Sequence, residues 1–197
     1  DGEQICVQMG VSFVSCDNAR QNLDAEQLGS NFDQVRDQAH RQWEEALERV
    51  KVSGGSEEQK KVFYTALYHA LLHPNVLNDV NGEYPLMQGG KYAAQNGIEV
   101  VKPGIGKVTK GHNRYTVFSL WDTSRNLHQL LTLAYPEKQI DMVRSMVDMY
   151  KEWGWMPKWE LYGRETFTME GDPAIPVIAD TYLKGLTDFD IQAAYKA

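Results

Sequence analysis

Residues 119–154, "SLWDTSRNLHQLLTLAYPEKQIDMVRSMVDMYKEWG", decide how the chain is built. Leu127, Leu130, Leu131 and Ala134 recur at steps of three and four, so they share one face of a helix. The spacing predicts a helix over 123–134, closed before Pro136 because proline pushes the residue ahead of it out of helical backbone. A second helix is predicted over 137–153, closed by Gly154.

The same rhythm extends in both directions. Phe32, Val35, Ala39, Trp43, Leu47 and Val50 predict a long amphipathic helix ending at the Ser-Gly-Gly breaker of 53–55. Ser56 and Gln59 form a capping-box signature. The helix they open, through Phe63, Leu67, Ala70 and Leu71, stops near His73 because Pro74 follows. Further helices are expected over 174–185, closed by Gly185, and from 188, where Asp188 or Thr187 can cap.

Between them, 78–118 is rich in glycine and polar residues. Turn pairs at Asn81-Gly82 and Asn96-Gly97 and short strand-like runs at 98–102 and 114–118 predict an irregular excursion. Near the start, Ile5, Val7, Met9, Val11 and Phe13 alternate with polar or small residues, the period of a half-buried antiparallel strand. A lone strand is not stable, so this one reads as the last strand of a β domain and the chain as a fragment. No 34- or 40-residue repeat supports a solenoid; helical hairpins in a ring, with long loops at one mouth, fit better.

The fold class expected is therefore mainly α. Residues 1–17 read as a terminal strand, 18–55 as a helical linker and 56–197 as the first part of a helical domain. The 197 residues are 42% apolar and carry a net charge of −7, which argues against nucleic acid or an anionic membrane as partner. No apolar run reaches the length of a membrane span, and no signal peptide stands at the start. Cys6 and Cys16 lack metal spacing and fit two thiols as well as one bridge.

Three groups of residues carry chemistry. Trp121 and Asp122 precede a helix: Asp122 or Thr123 can cap it with Trp121 packed behind, or the ring can lie on a pyranose face while the carboxylate accepts sugar hydroxyls. Arg125, one turn on, can orient the acid. In 154–173, "GWMPKWELYGRETFTMEGDP", Trp155 and Trp159 stand with Glu160, Glu165, Glu170 and Asp172 in a segment too broken to be one helix. Paired carboxylates beside rings are the apparatus of glycoside hydrolysis, although Glu165 or Asp172 could equally cap the next helix and Trp159 could be core. His69 and His73 have a chelating spacing, but no intervening glutamate or third ligand, so zinc is not expected. His112 and Asn113 carry no signal alone.

The blocks "VSFVSCDNARQNLDAE", "FYTALYHALLHPN", "SLWDTSRNLHQLLTLAYPE" and "MVRSMVDMYKEWGWMPKWELYGRETFTMEGDPAIPVIADTYLKG" together resemble the glycoside hydrolase family 92 α-mannosidases. The resemblance implies an N-terminal β-sandwich joined by helices to an (α/α)6 toroid. It also implies exo-acting, calcium-dependent hydrolysis of terminal α-linked mannose with inversion, α1,2 linkages being the expected target. Mannose-containing glycans and the remainder of the same polypeptide are the partners implied. The location implied is periplasmic, cell-surface or secreted.

By that resemblance Trp121 and Asp122 match positions that contact the terminal mannose, with Arg125, Trp159, Glu160 and Glu165 as weaker candidates. The family's acid and base sit in motifs of the form "TEGN-W" and "GN-DCGQMSAW". Neither string occurs here, so both catalytic groups are expected beyond Ala197, and no calcium ligand is named. Ser124 stands where the family usually has an aromatic, and "ELYGRETFTMEGDPA" departs from the commoner "-L-GNET-CM-G". The contrasting expectation is a non-catalytic helical protein that binds carbohydrate or serves as a scaffold, for peptides among other partners.

Overall fold

The structure, a computed structural model, describes residues 2–3, 5–27, 29–88 and 103–197. It is mainly α-helical with a few short strands. Two compact units divide it: Asp1–Leu71 with Asp79–Asn81, and Leu72–Asn78 with Gly82–Ala197.

The first unit holds α1 (Cys16–Gln27), α2 (Phe32–Leu47) and α3 (Glu57–Ala70). The expected capping box forms at α3: the Gln59 amide donates to Ser56 Oγ at 3.3 Å and Ser56 N donates back to Gln59 Oε1 at 2.9 Å. Asn31 and Gln34 make the same reciprocal pair at α2. Both helices thus have two otherwise orphaned N–H groups satisfied at their starts. Trp43 and Tyr68 meet with ring centroids 4.5 Å apart, which joins α2 to α3.

Residues 5–13 form no strand with any described residue. The segment belongs to no sheet, and Ile5, Val7 and Met9 are each more than 70% exposed. Its period satisfies half of what a strand needs; the other half is a neighbouring strand to take its N–H and C=O groups. A side chain of α1 serves one of them instead, Asn22 Nδ2 donating to Val11 O at 2.8 Å, and the segment's own Gln8 Nε2 donates to Ser30 O at 3.1 Å. Asp79, 5% exposed, ties the unit together by accepting from Ser12 Oγ, Asn18 Nδ2 and Asn22 Nδ2, each at 2.7 Å. Cys6 and Cys16 are free and exposed.

In the second unit, helices α5 (Leu127–Ala134), α6 (Pro136–Trp153) and α7 (Ala174–Leu183) pack on one another. Met142, Val143, Met146 and Met149 of α6, Leu131 of α5 and Val177 of α7 are buried between them. Pro136 opens α6 rather than standing before it, since its fixed φ suits the first helical position, where no N–H is needed. Gly154 closes α6 at φ 94°, as expected of a left-handed cap.

The last helix, α8 (Ile191–Lys196), begins three residues later than the capping signal at 188 predicts. Asp190 is the cap, accepting from Ala193 N at 2.9 Å. Asp188 is drawn away to the Arg144 guanidinium, so neither it nor Thr187 is the cap.

Short antiparallel pairs frame these helices: β1 (Asn75–Val76) with β4 (Tyr115–Thr116), and β2 (Glu83–Pro85) with β3 (Ile105–Lys107). The run expected at 114–118 is therefore present, split into β4 and β5 (Phe118–Ser119), whereas the strand at 98–102 and the Asn96-Gly97 turn lie outside the described residues. A three-stranded sheet is built from β5, β6 (Trp159–Leu161) and β7 (Arg164–Glu165).

Gly106 of β3 faces Tyr84, where an added Cβ would lie 2.6 Å from the tyrosine ring and 2.8 Å from Leu86 Cδ2. Tyr84 is held by a bond to Glu152, so it cannot swing aside. Gly106→Ala is expected to lower stability by about 1–3 kcal/mol through overpacking; an unchanged denaturation midpoint would show that the ring yields.

Candidate functional site

The stretch 154–173, too broken for one helix, folds as a hairpin. Leu161 pairs with Arg164 across a two-residue loop, Tyr162-Gly163, in which both residues have positive φ, 48° and 81°. That is the geometry of a turn whose twist matches the flanking strands, and glycine at its second position makes it accessible. The dipeptide between two short runs is the signal that could have located β6 and β7 from sequence.

Both carboxylates of this hairpin face inward. Glu160, with no exposed surface, accepts from Thr116 Oγ1 at 2.8 Å, from Val117 N at 3.1 Å and from Gly163 N. Burial pushes its carboxyl up to about 7, against the opposing pull of those donors and of the Arg114 charge. Glu165, 6% exposed, accepts from Lys158 N at 2.7 Å, Trp159 N at 3.0 Å, Thr166 N at 3.0 Å and Phe167 N at 3.1 Å. The two carboxylates satisfy loop backbone that no strand or helix serves. Glu170 and Asp172 are exposed and join neither cluster.

Val117 and Phe167 also have positive φ, 64° and 55°. For a β-branched residue such as Val117 that is a strained conformation, sustained here by the bond from its N–H to Glu160. The bend at Val117 separates β4 from β5 and turns the chain so that β5 runs alongside β6, with Ser119 opposite Trp159.

Immediately after β5 comes α4, a single turn, Leu120–Thr123. Leu120 is fully buried and its N–H donates to Lys158 O at 3.1 Å. The next two residues point the other way: Trp121 is 40% exposed, and Asp122 is exposed with its carboxylate accepting from the Ser119 hydroxyl. Asp122 is not a helix cap, for it lies within the turn, and neither α4 nor α5 has a side-chain cap bond. Arg125 does not orient the acid either. Its guanidinium lies 4.4 Å above the Trp121 ring and its Nε donates to Trp121 O at 3.3 Å.

Among the sequence candidates, the structure thus places Trp121, Asp122 and Arg125 together on one exposed turn, with Trp159 half-buried on the strand beside it. Glu160 and Glu165 lie underneath as supports. An exposed ring next to an exposed carboxylate on a braced backbone can stack on one face of a sugar and accept hydrogen bonds from its hydroxyls.

Residues 18–197 match the model of the glycosyl hydrolase family 92 catalytic domain. The chain belongs to this family.

Two family 92 mannosidases of Bacteroides thetaiotaomicron share its fold. One, an α-mannosidase also solved in complex with mannoimidazole, is 34% identical with a TM-score of 0.80 over 94% of this chain and 23% of its own. The other, described as an inverting mannosidase, is 28% identical with a TM-score of 0.76 over 94% of this chain and 23% of its own. An "uncharacterized secreted glycosidase" of Arthroderma benhamiae is 26% identical over 98% of this chain and 20% of its own length. The chain therefore spans about a quarter or less of the length of these relatives.

Proposed function

We propose that the protein to which this chain belongs is an exo-acting α-mannosidase that releases terminal α-linked mannose with inversion, α1,2 linkages being its expected target. The observation that carries this reading is the exposed Trp121–Asp122 pair, braced from below, within a family 92 catalytic-domain match. Relatives named as mannosidases, one of them inverting and one holding mannoimidazole, support the substrate and the stereochemistry. A secreted relative supports a periplasmic, cell-surface or secreted location, and no described helix is long and apolar enough to cross a membrane.

In this reading the helices form the first part of an (α/α)6 toroid, and the N-terminal segment pairs with a β-sandwich. The chain's own residues bind and orient: Trp121 stacks on the terminal sugar and Asp122 fixes its hydroxyls. Proton transfer is assigned to an acid and a base beyond Ala197, spaced about 6.5–9.5 Å apart so that a water fits beneath the sugar. Trp159 borders the bound sugar, and Glu160 and Glu165 hold the loop that carries it.

Calcium dependence belongs to the same proposal, with backbone or distant ligands completing the site. Among the described residues, no three or more His, Cys, Asp or Glu side chains gather as they would to hold the ion by themselves. Glu160 and Glu165, beside the turn, present their lone pairs to N–H donors instead.

The test is turnover of an aryl α-mannoside and of α1,2-mannobiose by the complete gene product. Activity lost on chelation and restored by calcium but not zinc is expected, and the 197-residue chain alone is expected to turn over neither substrate. Absence of turnover by the complete product with calcium present would reject the enzymatic reading in favour of a binding or scaffold protein.

A further inference from the structure

The turn that carries Trp121 and Asp122 is four residues long and has no side-chain cap, so by itself it is too short to hold a shape. Its first residue is anchored by burial of Leu120. Its last, Thr123, is anchored by something the sequence does not advertise. Thr123 Oγ1 lies 3.1 Å from Nε2 of His128, which is 1% exposed. His128 Nδ1 lies 3.0 Å from Gln139 Oε1, Gln139 Nε2 donates to Thr181 Oγ1 at 2.9 Å, and Thr181 Oγ1 donates to Val177 O at 2.8 Å.

The protons in this chain are fixed from its far end. A carbonyl only accepts, so the Thr181 hydroxyl is committed to Val177 O and must accept from the Gln139 amide. That orientation turns Gln139 Oε1 to the imidazole, which must donate from Nδ1. Nε2 is left as an acceptor, and the Thr123 hydroxyl donates to it. Burial also holds the ring below its ordinary pKa and hence neutral. The relay runs from α7 through α6 and α5 to the turn, with no charged member.

We infer that His128 is a positioning residue for sugar binding: through Thr123 it locks the Trp121–Asp122 turn to the helical core. This rests on the proposed role of that pair. The experiment is calorimetric titration of the complete protein with mannoimidazole, together with KM and kcat on an aryl α-mannoside.

Thr123→Val and His128→Asn each sever the link at the turn and are expected to weaken mannoimidazole binding about tenfold. The double variant should be no weaker than either single one, since both remove the same bond. His128→Gln, whose Oε1 can stand where Nε2 does, should restore most of the affinity. Asp122→Asn is the reference. If it weakens binding and the Thr123 and His128 variants do not, the positioning role alone is overturned; if Asp122→Asn has no effect, the site reading falls and the inference with it. A His128→Asn protein that melts earlier but binds as tightly as wild type would also overturn it, as would additive losses in the double variant.

Discussion

Asp122→Asn in the complete protein is expected to lower kcat/KM on an α-mannoside by about 10²–10³-fold while leaving the melting temperature nearly unchanged. A carboxylate that accepts two sugar hydroxyls contributes about 1.5–3 kcal/mol per bond, and every 1.4 kcal/mol is tenfold. The amide keeps the shape but replaces one accepting oxygen with a donor. Little stability is at stake, because Asp122 is exposed and its carboxylate accepts from the Ser119 hydroxyl rather than from a helix end. A helix cap would give the reverse ranking, about 1 kcal/mol of stability lost with activity intact. Steady-state kinetics and a thermal melt on the same preparation separate the two outcomes, and the second would remove Asp122 from the binding site.

Arg114→Leu is expected to destabilise the protein by about 3–5 kcal/mol, among the largest effects of any single substitution, because it strands a carboxylate. Arg114 is 1% exposed and grips Glu152 with two bonds, 3.0 and 2.9 Å long, with its guanidinium 4.7 Å above the Tyr84 ring. Glu152 also accepts from Met87 N at 2.7 Å and from the Tyr84 hydroxyl at 3.1 Å, so β2 and the segment after it hang on the same group. Arg114→Leu with Glu152→Leu should recover part of the loss, since no ion then remains buried. Arg114→Lys should fall between, having no planar fork for both oxygens. Urea unfolding with less than about 1 kcal/mol lost in Arg114→Leu would show that water reaches Glu152 and replaces the guanidinium.

The helices were legible because each carries its own period and its own stop. Ser56 and Gln59, Gly154 and Gly185 are local chemistry that the structure uses where the sequence puts it, whereas α3 ends at Ala70, three residues ahead of the stop expected at His73. The β6 and β7 strands were not read, for the inward position 160 holds a glutamate where alternation would call for an apolar residue. That carboxylate is there to serve Val117 and Gly163, residues 43 and 3 positions away, and spacing does not reveal such a debt. Segment 5–13 is the opposite case, a clean period with no strand beside it among the described residues. In the candidate site, residue types left Trp121 and Asp122 open between capping and sugar contact and the resemblance chose contact, whereas Arg125 was assigned to the acid on proximity and instead covers the ring. His128 shares a face with buried Leu131 three residues on, and that spacing was the available sign that it turns inward.

The guanidinium resting on Trp121 changes what the turn presents to its surroundings. A bare indole on a surface attracts any apolar neighbour, including another copy of the same chain. With a cation parked on one face, that side of the ring is screened by a group that prefers water. In the proposed reading, a sugar meets the ring from the side that the guanidinium leaves uncovered. Replacing Arg125 by alanine would thus do two things at once, opening a second landing face and making the protein stickier.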